Sequence, residues 1–186
     1  MKARILFGIF AVVALAQLSV PASMLWHRQR ALSEGRAFKF KTAPVDPEDA
    51  FRGRYVALRF EEQQAPWKDK EPATNGQKVY AVIETGTNGF ARIAWATAQQ
   101  PTGGDYIQTH VSWVEPKGEV HLSFPFDRFY MEESLAPNAE KAYREHNRRT
   151  QQDAYAVVRV LDGLGVIENL YVGGKPIAEA ARTAGK

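Results

Sequence analysis

No cysteine occurs in the chain, which excludes disulfides, thiolate nucleophiles and thiolate-held metals together. That absence fits an oxidising compartment without requiring one. Histidine is scarce too, with four residues at 27, 110, 121 and 146. There is no internal repeat, and Gly163-Leu164-Gly165 and Gly173-Gly174-Lys175 lack the other residues of any nucleotide loop, so both read as turns. An excess of positive charge is missing from the body. The chain carries +3 overall, but four of its 24 basic residues (Lys2, Arg4, Arg28, Arg30) lie in the first thirty positions, where there is no acid. The remaining 20 face all 21 acidic residues, a net charge of −1, which argues against a nucleic-acid partner.

What the chain does have is an apolar leader. From Ile5 to Trp26 nothing is charged, and only Gln17, Ser19 and Ser23 are polar. Twenty-two helical residues rise about 33 Å, enough to cross a bilayer. Trp26 then falls at the interface, with Arg28 and Arg30 outside it. The alternative is a cleaved signal peptide, since Ala14-Leu15-Ala16 is a small-x-small site. Apolar character continuing to Trp26 favours the anchor. Counting positive charges around the span would leave the body in the cytosol, but long domains translocate largely regardless of charge. The signal-like start gives the expectation of an extracytoplasmic body. The helix is expected to continue through Glu34 and stop at Gly35, a natural C′ residue.

The remainder is organised around residues 44–60. Pro44 and Pro47 hold the preceding residues out of the helical region, Asp46, Glu48 and Asp49 keep the loop solvated, and Gly53 permits a bend before a strand. Val56, Leu58 and Phe60 fall on one face of that strand, Tyr55, Ala57 and Arg59 on the other. Gly53-Arg54-Tyr55-Val56-Ala57-Leu58-Arg59-Phe60 resembles the signature of the GDYXXLXY family, bacterial membrane-anchored proteins named for that octapeptide. Gly53, Tyr55 and Leu58 match it, whereas Arg54 stands in place of aspartate and Phe60 in place of tyrosine. The resemblance implies a β-rich, extracytoplasmic body and a bacterial inner-membrane location, and it brings no activity with it.

Around this segment the pattern predicts a strand at Phe38 to Thr42 and a polar loop from Gln64 to Gln77. A hairpin follows, Lys78 to Glu84 and Phe90 to Thr97, apolar on both faces of both arms and so expected at the centre of a sheet. In the next hairpin, a two-residue turn at Lys117-Gly118 sets Val111 opposite Phe124 and Trp113 opposite Leu122. That register separates His110 and His121 by roughly 13 Å, too far to share a metal. It also makes Ser112 and Ser123 neighbours with no base opposite either, which argues against a serine nucleophile. A helix is expected from Leu135 to about Thr150, a closing hairpin through Asp162-Gly163, and a frayed tail after Pro176. His27 and His146 read as isolated.

The expected fold is mainly β: an N-terminal transmembrane helix, then a small antiparallel barrel or sandwich of about eight strands with one short helix. The expected units are an anchor and stalk at 1–35, the β domain at 36–177 and a flexible tail at 178–186. The carboxylates at 46, 48 and 49 match no standard calcium loop, so a solvated turn is preferred and no cofactor is expected. Candidate binding residues come from the signature (Asp46, Gly53, Arg54, Tyr55, Leu58, Arg59, Phe60) and from the aromatic-acidic run Phe124 to Glu133 (Asp127, Arg128, Tyr130, Glu132). The expected function is a single-pass binding or assembly module, held in the bilayer through residues 5–26, for another envelope protein such as a multi-pass membrane protein. The alternative is an extracytoplasmic hydrolase or sugar-binding protein whose groove uses Tyr55, Arg59, Asp127 and Glu132.

Overall fold

The computed structural model describes residues 2–43, 55–116, 118–148 and 151–184. The loop with Asp46, Glu48, Asp49, Gly53 and Arg54 lies outside them. Helix α1 spans Lys2–Glu34 and is long and apolar enough to cross a membrane, its apolar side chains exposed from Ile5 to Trp26. It ends as expected at Gly35, whose amide donates to the Ala31 carbonyl at 3.0 Å.

No linker separates this helix from the β body. Strand β1 (Arg36–Ala43) begins at the next residue, with Phe38, Phe40 and Thr42 facing the core. The signature follows as two short strands, β2 (Tyr55–Ala57) and β3 (Arg59–Phe60), then β4 (Gln64–Pro66), β5 (Lys78–Thr85), β6 (Ala91–Thr97), β7 (Tyr106–Val114), β8 (Glu119–Ser123) and β9 (Arg128–Tyr130). Helix α2 (Ala136–His146), the pair β10 (Asn147–Arg148) and β11 (Gln151–Gln152), and the hairpin β12 (Tyr155–Leu161) and β13 (Leu164–Val172) come next. The described chain ends with β14 (Lys175–Pro176) and helix α3 (Ile177–Ala184).

One five-stranded sheet has the order β4-β8-β7-β5-β6, and its two edges approach each other through a parallel bridge from Trp67 to Ala96. The Lys68 amide adds a 3.0 Å bond to the Ala96 carbonyl, so the sheet is nearly closed into a barrel. A second sheet, β14-β13-β12-β1-β3, packs its apolar face into the same core. Phe40, Phe60, Phe124 and Phe126 meet there, with ring centroids 5.1 to 6.0 Å apart in every pairing. Gly165 makes this possible, because a Cβ at that position would lie 2.5 Å from the Phe126 ring.

The mainly β architecture is as expected; several details are not. The 64–77 segment is not all loop, since β4 pairs there with β8. Of the two arms only β5 is interior; β6 is an edge strand whose free edge is bridged at one point by Trp67 rather than paired with another full strand. In the β7–β8 hairpin Val111 faces Leu122 and Trp113 faces His121, not Phe124 and Leu122 as expected. A bulge at Ser112 is the reason: one extra residue keeps Val111 inward while turning Trp113 outward to stack on His121, centroids 5.4 Å apart. His110 stands opposite Ser123, with no side-chain hydrogen bond between them among the described residues. Helix α2 stops at His146 rather than near Thr150, and His146 is not isolated, its Nδ1 lying 2.9 Å from Asp153 Oδ1. The tail beyond Pro176 is not frayed over its described part. Ile177 and Ala181, one helical turn apart, are fully buried, which makes α3 a second helix of the body.

Candidate functional site

The signature strand divides at Leu58, and its halves pair with different partners. Tyr55, Val56 and Ala57 face Tyr130, Phe129 and Arg128 of β9. Beyond the break, Arg59 and Phe60 face Ala43 and Thr42 of β1. Leu58 donates its amide to the Asp127 carbonyl at 2.8 Å, pinning the break to the aromatic-acidic run. Val56, Leu58 and Phe60 are buried as the alternation requires, so Leu58 and Phe60 are core residues. The edge-on phenyl contacts of Phe60 also account for the missing phenol: a hydroxyl there would be buried among phenylalanine rings.

On the opposite face a polar aromatic cluster forms. The Tyr55 and Tyr130 rings stand 5.6 Å apart, and the Arg128 guanidinium lies 5.1 Å over the Tyr55 ring. A hydrogen bond with Tyr130, then the Asp127 carboxylate 3.6 Å away, raise the Arg128 pKa further above its ordinary value. Tyr130 is 60% exposed, and Arg128 and Asp127 are mostly exposed as well. Of the three arginines named from sequence, Arg54 lies outside the described residues, Arg128 is set against Tyr55 and Asp127, and Arg59 is exposed on β3. Glu132 accepts a 2.7 Å bond from Ser134 next to the start of α2. Among the described residues no three His, Asp or Glu side chains group to hold a metal.

A cavity of about 700 Å³ opens elsewhere, along the seam that nearly closes the barrel. Trp67, Lys68 and Asp69 form one wall, Trp95 and Thr97 of β6 another, and Gln99, Gln100 and Thr102 the rim. Sequence reading had placed none of these residues in a site. Trp95 escaped because strict alternation from Ala91 and Ile93 would point it inward. A bulge at Ala94 reverses the pattern, so that Ala96 fills the core and Trp95 turns out.

A helix long and apolar enough to cross a membrane, running directly into a nearly closed, mainly β body with an aromatic and arginine cluster between the signature strand and β9, defines the class of protein. The family model described as GDYXXLXY protein matches residues 17–170, and the chain belongs to that family. Comparison with curated proteins and with solved structures finds no match.

Proposed function

We propose that the protein is a single-pass inner-membrane module whose periplasmic body binds another envelope protein, a multi-pass membrane protein being the best fit. The observation that carries this is the Tyr55–Arg128–Tyr130 cluster, with Tyr55 half-buried and Arg128 and Tyr130 exposed. Tyrosine and arginine are the residues that most often anchor protein interfaces, and here they are already ordered by one another and by Asp127, which lowers the entropy lost on docking. The cluster lies on a two-stranded ribbon outside both larger sheets.

The root of the helix supports the same reading. Ala31 is fully buried, and Arg159, held bidentately by Glu168, donates to the Gly35 carbonyl at 3.1 Å. A body fixed to its anchor in this way presents one face to proteins in the same bilayer. Cross-linking followed by purification in mild detergent tests the proposal. The expected result is co-purification of an envelope protein with the wild type, reduced at least about tenfold by Arg128→Ala with Tyr130→Ala. Recovery of the wild-type protein alone would refute it.

A further inference from the structure

The seam cavity points to a second function, separate from the signature cluster. We propose that it is a binding site for a neutral oligosaccharide. The argument starts from what turns Trp95 outward. A strand that inserts a residue to take a tryptophan out of the core forgoes a large apolar contact, and bulges of this kind are enriched where a side chain is re-aimed toward a ligand. Here the bulge at Ala94 delivers the indole into the cavity, with Trp67 across from it on the other side of the seam.

The walls are rigid before any ligand arrives. The Trp67 amide donates to the Gly118 carbonyl at 3.1 Å and its indole N–H to the Glu71 carbonyl at 2.6 Å. Asp69 accepts from the Thr97 hydroxyl and from the Ala98 amide, both at 2.7 Å, which ties the 67–71 loop to β6. Gln100 donates to the Tyr106 hydroxyl at 2.6 Å. The volume falls within the roughly 300–1,000 Å³ of ordinary ligand sites.

The lining selects the chemistry. Its charges cancel, Lys68 and Lys70 against Asp69 and Glu71, and Asp69 is already committed to Thr97 and Ala98. Among the described lining residues no arginine is present to grip a phosphate or carboxylate in two places. What remains is two indole rings among carboxamides and hydroxyls, groups that both donate and accept. The Lys68 ammonium sits 3.8 Å over the Trp95 ring, an electropositive partner held on that face by an exposed side chain that a ligand stacking there would displace. The C–H face of a sugar ring is such a partner, and its hydroxyls match the carboxamides. A neutral glycan satisfies both requirements at once.

The test is a tryptophan-fluorescence titration of the full-length protein, in a polyoxyethylene detergent that carries no sugar headgroup, with chitotetraose and with cellotetraose. A saturable change with either sugar, at a dissociation constant of about 1 mM or below, is expected. Trp95→Ala should weaken it at least about tenfold, and Trp113→Ala, at a residue that does not line the cavity, should leave it unchanged. Gln99→Ala with Thr102→Ala, two exposed rim residues, should weaken it about threefold or more and decides the matter if Trp95→Ala does not fold. No saturable change with either sugar up to about 10 mM, or a change undiminished by the rim substitutions, would overturn the proposal. Tyr130→Ala should not affect the titration, so failure here and failure of the partner-binding reading are separable.

Discussion

Replacing Gly165 with alanine should destabilise the body through one ring. The new Cβ would lie 2.5 and 2.8 Å from two carbons of Phe126 and 3.4 Å from a Val158 methyl. Phe126 would have to retreat by about 1 Å to restore ordinary contact, and it is hemmed in by Phe40, Phe60 and Phe124. Overpacking of this kind costs about 1–3 kcal/mol. Losing a glycine from the unfolded chain returns about 0.4–1 kcal/mol. The net of roughly 1–2 kcal/mol corresponds to a fall in Tm of about 2–8 °C for a domain of this size. Circular dichroism of the detergent-solubilised protein would read it. Gly103→Ala, at a site with open space around it, should stay within about 0.5 kcal/mol of wild type. Phe126→Leu combined with Gly165→Ala should cost at least about 0.5 kcal/mol less than the two singly, because the smaller side chain frees the space. A Gly165→Ala protein melting with the wild type, or strictly additive costs, would show that Phe126 does not rest on Gly165.

Tyr143 gives a pH prediction. Its hydroxyl is buried without a hydrogen-bond partner among the described residues, Thr42 lying near enough only for a weak opposing influence, and burial pushes its pKa up to about 12. The unfolded chain therefore loses this proton first, so stability falls as pH rises from about 10 to 12, by roughly 2–3 kcal/mol. Alkaline unfolding of Tyr143→Phe should lack most of that loss and should be no less stable at pH 7; equal slopes would disprove the assignment. Because the chain has no native cysteine, Thr87→Cys in the exposed β5–β6 turn supplies a single thiol. A membrane-impermeant maleimide should label it in spheroplasts without lysis, and labelling only after lysis would place the body on the cytosolic side. Loss of Arg159 should loosen the root of α1, read as faster amide exchange at Ala31 to Arg36 in the Arg159→Ala protein; unchanged exchange would mean that Ala31 burial alone holds the joint.

What the sequence discloses depends on whether a period is kept or broken. The stop at Gly35, the inward faces of Phe38 and Phe40, and the burial of Val56, Leu58 and Phe60 follow from residue type and unbroken alternation. An inserted residue at Ser112 or Ala94 leaves the local composition unchanged while inverting every side chain beyond it, so both outward tryptophans read as core. The pairing of Tyr55 with Tyr130 joins segments more than seventy residues apart, and no local pattern encodes it. Ile177 and Ala181 did carry a helical spacing, but a pair of apolar positions in an alanine-rich end is too short a signal without the surface of α2 to receive it.

If α1 spans a bilayer, as proposed, the joint at Gly35 makes it a lever. Trp26 and Glu34 are eight positions apart, about 12 Å of stiff shaft that would stand above the bilayer surface. The far end of β1 lies about 23 Å beyond the joint. A tilt of about 20°, ordinary for a spanning helix, would swing that end sideways by up to about 12 Å, and the whole globule with it. Bilayer thickness, acting on the angle of the shaft, would thereby set which neighbours the globule can reach.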